Sequence, residues 1–261
     1  MIATDLDGTL LGSDHQFSAR TVQAIGAASA AGIVVVPATG RSHMTAVPLL
    51  RSMPAIRWAV CSNGASLYDI AADRVADHHL IDDDDLVALG HAVRQIDGAA
   101  IAWEGVDTFG ADASFRARYP ISDGWVLSSG SDRLPTSGVI KLLVSHDTLA
   151  DRALVALLAP RISIDVEVST SGAPFVEITG AGIDKSFGLQ VLAERLKIDA
   201  ADVVAFGDNH NDLPMLRWAG HSVAMGNALD EVKAQTDEVT DHHADDGVAK
   251  VIERILATGH I

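Results

Sequence analysis

Short apolar runs in which hydrophobic residues do not alternate with polar ones place the strongest constraint on this fold. Residues 33–36 form the clearest run, and residues 203–206 repeat the pattern late in the chain. Such runs are typical of strands that are covered on both faces, as in a parallel sheet with helices on either side. The first third of the chain alternates these runs with helical patterns in a βαβαβ order, which favours an α/β fold.

The spacing of apolar residues also predicts helices and further strands. Near the end of the chain, apolar residues at i, i+3, i+4, i+7 and i+8 predict a helix that packs one stripe on the sheet. That stripe is Val248, Val251, Ile252, Ile255 and Leu256. We also predict helices at about residues 18–31 and 42–53, and strands at residues 1–7, 33–38, 58–62, 203–206, 222–225 and 238–240.

The middle third of the chain has a different pattern. Residues 162–168 alternate apolar and polar side chains, which indicates an antiparallel strand with one polar face. The acidic run at residues 82–85 is interpreted as the capped start of a helix and not as a metal site. The other predicted elements of this part are strands at residues 139–145 and 175–179 and helices at about residues 84–96 and 148–158.

These two patterns divide the chain. We predict a core domain formed by residues 1–80 and 182–261, with an α+β domain inserted at residues 81–181. The predicted fold class is α/β, with a doubly wound, mostly parallel (Rossmann-like) sheet core and an inserted α+β domain.

The charge balance excludes several classes of partner. The chain has 19 Lys and Arg residues against 35 Asp and Glu residues, a formal net charge of −16, so its summed field repels polyanions. We therefore expect no general binding to nucleic acid and none to an anionic membrane surface. A phosphate-bearing ligand needs local cations for its capture.

The cysteine content and the start of the chain indicate in which cellular compartment the protein is expected. The lone Cys61 excludes a disulfide scaffold and a thiolate zinc site. The N-terminus has no basic and apolar leader, so the expected location is the cytoplasm. The uncharged stretch at residues 21–40 contains Gly26, Gly32 and Pro37, which favours a helix, a turn and a strand over a membrane span.

Asp5 and Asp7 are the first candidates for chemistry, because they lie where the first apolar run ends. Alternation along an extended strand places both side chains on the same side, and Gly8 permits a sharp turn beyond them. Sites in open α/β sheets form at such carboxyl ends. Two surface aspartates before a turn are the plain alternative. A calcium loop is excluded, because its twelfth position is Gln16 and not an acid that binds with both oxygens.

A second acidic cluster begins where the run at residues 203–206 ends. It contains Asp208, Asn211 and Asp212. Two strand ends that both offer carboxylates can converge on one hard cation. Oxygen ligands without cysteine favour Mg2+ over zinc.

Polar groups also follow the other predicted strands. Thr39, Gly40 and Arg41 follow the second strand, and Asn63 follows the third. Lys185 lies at the start of a predicted helix, where free N–H groups favour anions. The alternatives are an ordinary solvated lysine and, for Arg41, a structural ion pair.

Taken in order, these motifs resemble those of the haloacid dehalogenase (HAD) superfamily. The four motifs are Asp5-x-Asp7-Gly8-Thr9, Thr39-Gly40-Arg41, Lys185 and Gly207-Asp208-x-x-Asn211-Asp212. Three further segments resemble the sheet-edge loops of the family, at residues 62–65, 224–228 and 245–249. The insertion between the second and third motifs is similar to the cap of the Cof-type, type IIB phosphatases. The resemblance spans nearly the whole chain.

The resemblance implies a role for each matching residue. Asp5 is implied as the nucleophile that forms an aspartyl-phosphate, and Asp7 as the acid that protonates the leaving alcohol and then activates water. Mg2+ is the implied cofactor, held by Asp5, the backbone carbonyl of Asp7 and Asp208, with Asp212 either as a further ligand or as a residue that supports the ligands. The implied catalytic residues are Asp5, Asp7, Thr39 and Lys185, and the implied substrate-binding residues are Thr39, Gly40, Arg41, Asn63, Lys185 and Asn211. Asn211 is also expected to orient Lys185.

The implied activity is a Mg2+-dependent phosphatase that acts on small phosphorylated metabolites. Sugar phosphates are the first expected class, followed by phosphorylated cofactors such as flavin mononucleotide (FMN) or pyridoxal phosphate (PLP). A phosphomutase of the same superfamily and a non-catalytic protein that binds phosphometabolites are the alternatives. Neither the physiological substrate nor the oligomeric state follows from the sequence.

Two features depart from the pattern of the family. Only four residues precede Asp5, so we expect a short first strand or a start that lies upstream. Pro37 removes an N–H group late in the second strand, which predicts an irregularity just before Thr39. The histidine pairs at residues 78–79 and 242–243 are interpreted as solvated surface residues. His210 is interpreted as either a variable residue of the acidic motif or a contact to the inserted domain.

Overall fold

The structure is a computed structural model that describes residues 1–119 and 133–259. The chain forms two compact units, one of Met1–Ala76 with Asp184–Ile261 and one of Asp77–Ile183. The predicted domains, residues 1–80 with 182–261 and residues 81–181, divide the chain near the same positions. The assignment of these ranges as a core domain and an inserted domain stays a prediction.

The elements of the described residues are named here in chain order. The strands are β1 (Ile2–Thr4), β2 (Val35–Pro37), β3 (Trp58–Cys61), β4 (Ser66–Asp69), β5 (Arg74–His78), β6 (Ala99–Glu104), β7 (Phe109–Ala111), β8 (Lys141–His146), β9 (Val166–Ser169), β10 (Val176–Gly180), β11 (Val204–Gly207), β12 (His221–Ala224) and β13 (Glu238–Val239). The helices are α1 (Ala19–Ala30), α2 (His43–Leu50), α3 (Asp83–Arg94), α4 (Ala113–Arg118), α5 (Asp151–Leu158), α6 (Lys185–Leu196), α7 (Leu213–Trp218), α8 (Asp230–Lys233) and α9 (Gly247–Thr258).

A parallel sheet forms the centre of the first unit, in the order β13-β12-β11-β1-β2. Ile2 of β1 lies opposite Val204 on one side and Val35 on the other. All residues of β1 and β2 are buried, as expected of strands covered on both faces. The predicted fold class is confirmed. Because these strands are parallel, their carboxyl ends lie at one edge of the sheet.

The third predicted strand forms, but it does not extend the parallel sheet by a full ladder. β2 ends at Pro37, and only one parallel bridge, Ala38 to Val60, joins β3 to that side. This break agrees with the irregularity expected at a residue that lacks an N–H donor. β3 instead begins a separate sheet of order β3-β4-β5, in which it pairs antiparallel with β4. The sequence analysis missed β4 and β5.

The second unit contains an antiparallel sheet of order β7-β6-β8-β10-β9. Trp103, Leu142 and Ile178 lie in its buried apolar cluster, together with residues of α3 and α5. The prediction of one strand over residues 162–168 is wrong for its first half. A 3-10 turn at Ala159–Arg161 occupies the chain just before, and the strand begins only at Val166. The strands β6 and β7 and the helix α4 were not predicted.

The core of the first unit confirms the predicted apolar stripe of the last helix. Val248, Val251, Ile252 and Ile255 are buried in α9, within the same cluster as Ile2 of β1. Burial of each large aliphatic side chain stabilises the fold by roughly 1.5–3 kcal/mol. Among the described residues, no helix has both the length and the apolar character needed to cross a membrane.

Candidate active site

Asp5 and Asp208 each follow a strand of the parallel sheet. Asp5 comes directly after β1, and its N–H donates to the carbonyl of Phe206 in β11 at 3.0 Å. Asp208 follows Gly207, the last residue of β11. The parallel pairing of these two neighbouring strands therefore brings the two aspartates to the same edge of the sheet.

The turn after Asp5 packs tightly against Asp208. Gly8 has a φ of 82°, and a Cβ atom on it would lie 2.6 Å from Oδ2 of Asp208. A side chain at this position would meet both the backbone cost of the left-handed region and a clash. Thr9 donates its hydroxyl to Oδ1 of Asp208 at 3.0 Å. Gly8 and Thr9 thus hold the first acidic segment, residues 5–9, against the second acidic segment, residues 207–212.

Lys185 lies between two carboxylates. Its Nζ atom donates to Oδ1 of Asp5 and to Oδ1 of Asp212, both at 2.6 Å, and the residue is 1% exposed. Burial alone disfavours the ammonium, but the charges of Asp212 and Asp5 outweigh it and raise the pKa of Lys185 above its usual value. The lysine therefore stays charged, and the alternative of an ordinary solvated lysine does not hold.

The position of Lys185 depends on two close backbone approaches. A Cβ atom on Gly64, whose φ is 97°, would lie 1.8 Å from the carbonyl oxygen of Asp184. A Cβ atom on Gly188 would lie 2.6 Å from Cγ1 of Val60. Asp184 caps α6 by accepting the N–H of Phe187 at 3.0 Å. The turn at residues 62–64 and the first turn of α6 are therefore in direct contact.

Asp212 has both carboxylate oxygens engaged by protein donors. Oδ1 accepts from Lys185, and Oδ2 accepts the N–H groups of Asp208 at 2.9 Å and Asn209 at 3.0 Å. These bonds close the loop after β11 and fix the direction of Lys185. The arrangement favours a supporting role for Asp212 over a direct metal contact.

Three carboxylates are close enough to hold one cation. Single oxygen atoms of Asp5, Asp208 and Asp212 all lie within 4.8 Å of one another. Burial and the neighbouring Asp212 raise the pKa of Asp208 to about 6. Burial also raises the pKa of Asp5, although Lys185 opposes this rise. One ammonium does not balance three carboxylates, of which those of Asp5 and Asp212 are buried and that of Asp208 is partly buried. Such an oxygen donor set fits a hard divalent ion such as Mg2+.

The carboxylate of Asp7 lies outside this cluster. Its oxygens accept two hydrogen bonds from Arg41, from Nε at 2.6 Å and from Nη2 at 2.5 Å. This pair raises the pKa of the Arg41 guanidinium. The side chain of Asp7 is 40% exposed, so solvent reaches it. Of the two interpretations of Arg41, the structure shows the ion pair.

The predicted phosphate-binding residues lie together beside this edge of the sheet. Asn63 donates its N–H to the carbonyl of Thr39 at 3.0 Å, and Asn211 donates its side-chain amide to Oδ1 of Asn63 at 3.2 Å. Thr39 accepts the N–H of Arg41 on its hydroxyl at 3.1 Å, around Gly40. Asn211 was expected to orient Lys185, but its hydrogen bond goes to Asn63.

Sequence reasoning missed two residues that support the site, Asn227 and His243. Asn227 donates to the carbonyl of Gly8 at 2.7 Å. The interpretation of His243 as a solvated residue is wrong, because its Nδ1 atom lies 2.8 Å from the carbonyl oxygen of Leu11 and its N–H donates to Asn227. The only signal was the segment at residues 224–228, whose resemblance to a family loop gave no role to any side chain.

Comparisons with known proteins agree with this arrangement. A family model of haloacid dehalogenase-like hydrolases matches residues 2–252. A 5-amino-6-(5-phospho-D-ribitylamino)uracil phosphatase of Bacillus subtilis is 30% identical over 254 residues, which cover 97% of this chain and 94% of the relative. A pyridoxal phosphate phosphatase of Escherichia coli is 29% identical over an alignment of 279 positions, which covers 97% of each chain.

A solved structure provides the comparison of folds. A sugar phosphatase of HAD subclass IIB superposes with a TM-score of 0.84 at 23% identity, over 97% of this chain and 98% of the other. At this identity the likeness shows a shared fold.

Proposed function

The chain belongs to the haloacid dehalogenase-like hydrolase family, and we propose that this phosphoric monoester hydrolase acts on small phosphorylated metabolites with Mg2+ as cofactor and Asp5 as nucleophile. The predicted resemblance to the Cof-type, type IIB phosphatases is confirmed. One observation carries the proposal: the buried ammonium of Lys185 contacts Asp5 beside the second acidic segment.

The charges of the substrate explain why this cluster is needed. A carboxylate that approaches a phosphate dianion to about 4 Å meets a repulsion of about 8 kcal/mol at an effective dielectric of about 20. The net charge of −16 on the chain adds to this barrier. Lys185 supplies one compensating charge at the nucleophile itself. A second source of positive charge is required, because Asp208 and Asp212 add negative charge nearby.

The residues that would hold Mg2+ are Asp5, Asp208 and the backbone carbonyl of Asp7, with Asp212 as support. When bound, Mg2+ supplies positive charge that offsets the repulsion between substrate and nucleophile and the charge that develops on the phosphoryl group. The donor set fits this ion, because it consists of oxygens and contains more negative charge than Lys185 balances.

Asp5 performs the first chemical step in this proposal. One oxygen of Asp5 accepts a hydrogen bond from Lys185, which leaves the other oxygen to attack phosphorus. The new bond joins this oxygen to phosphorus while the bond from phosphorus to the leaving alcohol breaks. Asp5 needs no activating base, since a carboxylate is already an oxygen nucleophile when ionised.

Asp7 transfers the protons in both half-reactions. It donates a proton to the departing alkoxide, and it then accepts a proton from the water that attacks the aspartyl-phosphate. This second attack releases inorganic phosphate and restores Asp5. In the structure Asp7 is held by Arg41, so this ion pair must open before the carboxyl group reaches a leaving group.

Thr39, Asn63 and Lys185 are the proposed contacts of the phosphoryl oxygens. Thr39 and Asn63 are buried side by side at the carboxyl edge of the sheet, and the hydroxyl of Thr39 and the amide of Asn63 are donors that suit phosphoryl oxygens. Gly40 and Arg41 continue the same loop. Asn211 fixes the direction of the Asn63 side chain.

The substrate class rests on the relatives and on the net charge. Two of the relatives are named for 5-amino-6-(5-phospho-D-ribitylamino)uracil and for pyridoxal phosphate. We propose a small phosphorylated metabolite of this kind, either a sugar phosphate or a phosphorylated cofactor such as FMN or PLP. A polyanionic macromolecule is disfavoured by the acidic chain.

The test is phosphate release from a panel of sugar phosphates, FMN, PLP and nucleotides, measured with Mg2+ and again with a chelator. We expect release from at least one small metabolite that depends on Mg2+ and is lost in Lys185→Met. The matched control is Lys250→Met, which removes a partly exposed lysine paired with Asp241 and leaves the rate unchanged. A phosphorylated isomer without free phosphate would identify a phosphomutase, and binding without turnover would identify a binding protein. Either result contradicts the proposed hydrolysis.

A further inference from the structure

The loop that follows β12 contacts the first acidic segment through the side chain of Asn227. Its Nδ2 atom donates to the carbonyl oxygen of Gly8 at 2.7 Å, and its Oδ1 atom accepts the N–H of His243 at 3.0 Å. These partners determine the orientation of the amide. A backbone N–H only donates, so the amide oxygen faces His243, and a carbonyl only accepts, so the amide nitrogen faces Gly8.

The same loop is also bonded to the second acidic segment. The N–H of Leu229 donates to the carbonyl of Asp208, and the N–H of Met225 donates to the carbonyl of Gly207, both at 3.0 Å. Gly226 permits this path, because a Cβ atom on it would lie 2.7 Å from the backbone nitrogen of His242. A single short loop therefore fixes the backbone on both sides of the carboxylate cluster.

The segment from Leu6 to Leu10 needs such support. Its interior is not helical, since Asp7 has a ψ of 115° and Gly8 has a φ of 82°. His243 holds the end of this segment, because its Nδ1–H donates to the carbonyl of Leu11 at 2.8 Å. Asn227 holds the middle, at the peptide between Gly8 and Thr9, which is the second peptide after Asp7.

We propose that Asn227 is a positioning residue for the phosphatase reaction: by fixing the Gly8 carbonyl it sets the turn that aims Asp7 and holds Gly8 against Asp208. The inference rests on the proposed function. Among the described residues, the side chain of Asn227 hydrogen-bonds to the backbone of Gly8 and His243 and not to Asp5 or Asp7, so it acts through the backbone. An error of about 1 Å in the position of a reacting group lowers a rate by about 100-fold while leaving substrate contacts in place. The effect of Asn227 therefore belongs to kcat and not to KM.

The test is the steady-state kinetics of Asn227→Asp on the best substrate of the panel, at saturating Mg2+. Asp has nearly the same shape and retains the acceptor for His243, but it replaces the donor that faces Gly8 with an acceptor. We expect kcat to fall at least about tenfold, with KM within about twofold of the wild-type value. If Asn227→Asp does not fold, Asn227→Ala gives the same test, since it removes the donor without adding a charge.

The control for a general loss of stability is Ser222→Ala. Ser222 lies in β12, the strand that precedes the loop of Asn227, and it donates its hydroxyl to Asp237 at 2.7 Å. We expect kcat of this variant to stay within about twofold of the wild-type value. This should hold even if its thermal midpoint of unfolding falls as far as that of Asn227→Asp. The proposal is overturned by an unchanged kcat in Asn227→Asp, by a rise in KM at constant kcat, or by an equal fall of kcat in Ser222→Ala. A wild-type protein that releases no phosphate would instead contradict the proposed function.

Discussion

Nζ of Lys185 lies 2.6 Å from Oδ1 of Asp5, although 180 positions of sequence separate the two residues. The same ammonium is equally close to Asp212, so it is shared between two carboxylates. Asp208, in the same cluster, has no full counter-charge, and its pKa is raised to about 6 by burial and by Asp212. A divalent cation bound between these carboxylates would neutralise this unbalanced negative charge.

Mg2+ should therefore stabilise the protein. A ligand that binds only the folded state adds about 2.7 kcal/mol of stability at 100 times its dissociation constant. We expect the thermal midpoint to rise with Mg2+ in the wild type, and to rise much less in Asp208→Asn. The matched control is Asp230→Asn, which changes a fully exposed aspartate and should show the wild-type shift. An equal shift in Asp208→Asn would show that the cation binds elsewhere.

The side chain of Asp7 should be needed for turnover but not for the binding of Mg2+. Its carboxylate lies outside the cluster of Asp5, Asp208 and Asp212. We expect Asp7→Asn to lower kcat by roughly 100- to 10,000-fold, the usual contribution of general acid–base catalysis. The thermal shift caused by Mg2+ should persist in this variant. Kinetics equal to the wild type would refute the role of Asp7, and loss of the shift would place its carboxylate on the metal.

Gly64 should be far less tolerant of alanine than Gly32, although both have a positive φ. A Cβ atom on Gly64 would lie 1.8 Å from the carbonyl oxygen of Asp184, whereas nothing lies within 4 Å of a Cβ atom on Gly32. We expect Gly32→Ala to cost about 1–2 kcal/mol of unfolding free energy, from the left-handed backbone alone. Gly64→Ala should cost more than about 4 kcal/mol, since backbone must move. Urea titrations of both variants measure this difference, and equal losses would contradict the close approach at α6.

Lys141 should stabilise the second unit by balancing two buried glutamates. It is 1% exposed, its Nζ atom donates to Oε1 of Glu177 at 2.8 Å, and it lies 3.3 Å from Oε1 of Glu104. Removal of one partner from a buried ion pair costs about 3–5 kcal/mol, because the remaining charge is uncompensated. We expect Lys141→Met to lower the thermal midpoint of unfolding strongly. The triple variant Glu104→Gln, Lys141→Met, Glu177→Gln should recover part of the loss, and an unchanged midpoint in Lys141→Met would contradict this role.

The parts of the fold that were predictable have local signals. The apolar runs that became β2 and β11 are buried on both faces, and the stripe of α9 repeats with the helical period. β4 carries both polar and apolar side chains although all of it is buried, and β6 contains three alanines, so neither has the composition of a typical strand. Residues 162–165 alternate in polarity, but the preceding 3-10 turn delays the strand until Val166.

The candidate site was predictable as a set of positions but not as a set of contacts. Strand ends and a helix start located Asp5, Asp208 and Lys185, because parallel strands bring their carboxyl ends to one edge. The partners of these side chains depend on directions that no local pattern encodes. The bonds from Arg41 to Asp7 and from Asn227 to Gly8 join segments 34 and 219 positions apart.

Covalent phosphorylation of Asp5 is the central claim, and a rapid-quench experiment tests it most directly. The enzyme is mixed with its substrate and Mg2+, quenched in acid during turnover, digested and analysed by mass spectrometry. For the wild type we predict one phosphoryl group on the N-terminal peptide, located at Asp5. In Asp7→Asn the phosphorylated enzyme should accumulate further if breakdown of the intermediate is slowed more than its formation. In Asp5→Asn no phosphorylated peptide should form. Phosphate release at the wild-type rate by Asp5→Asn, or a phosphoryl group on a different residue during turnover, would contradict the account.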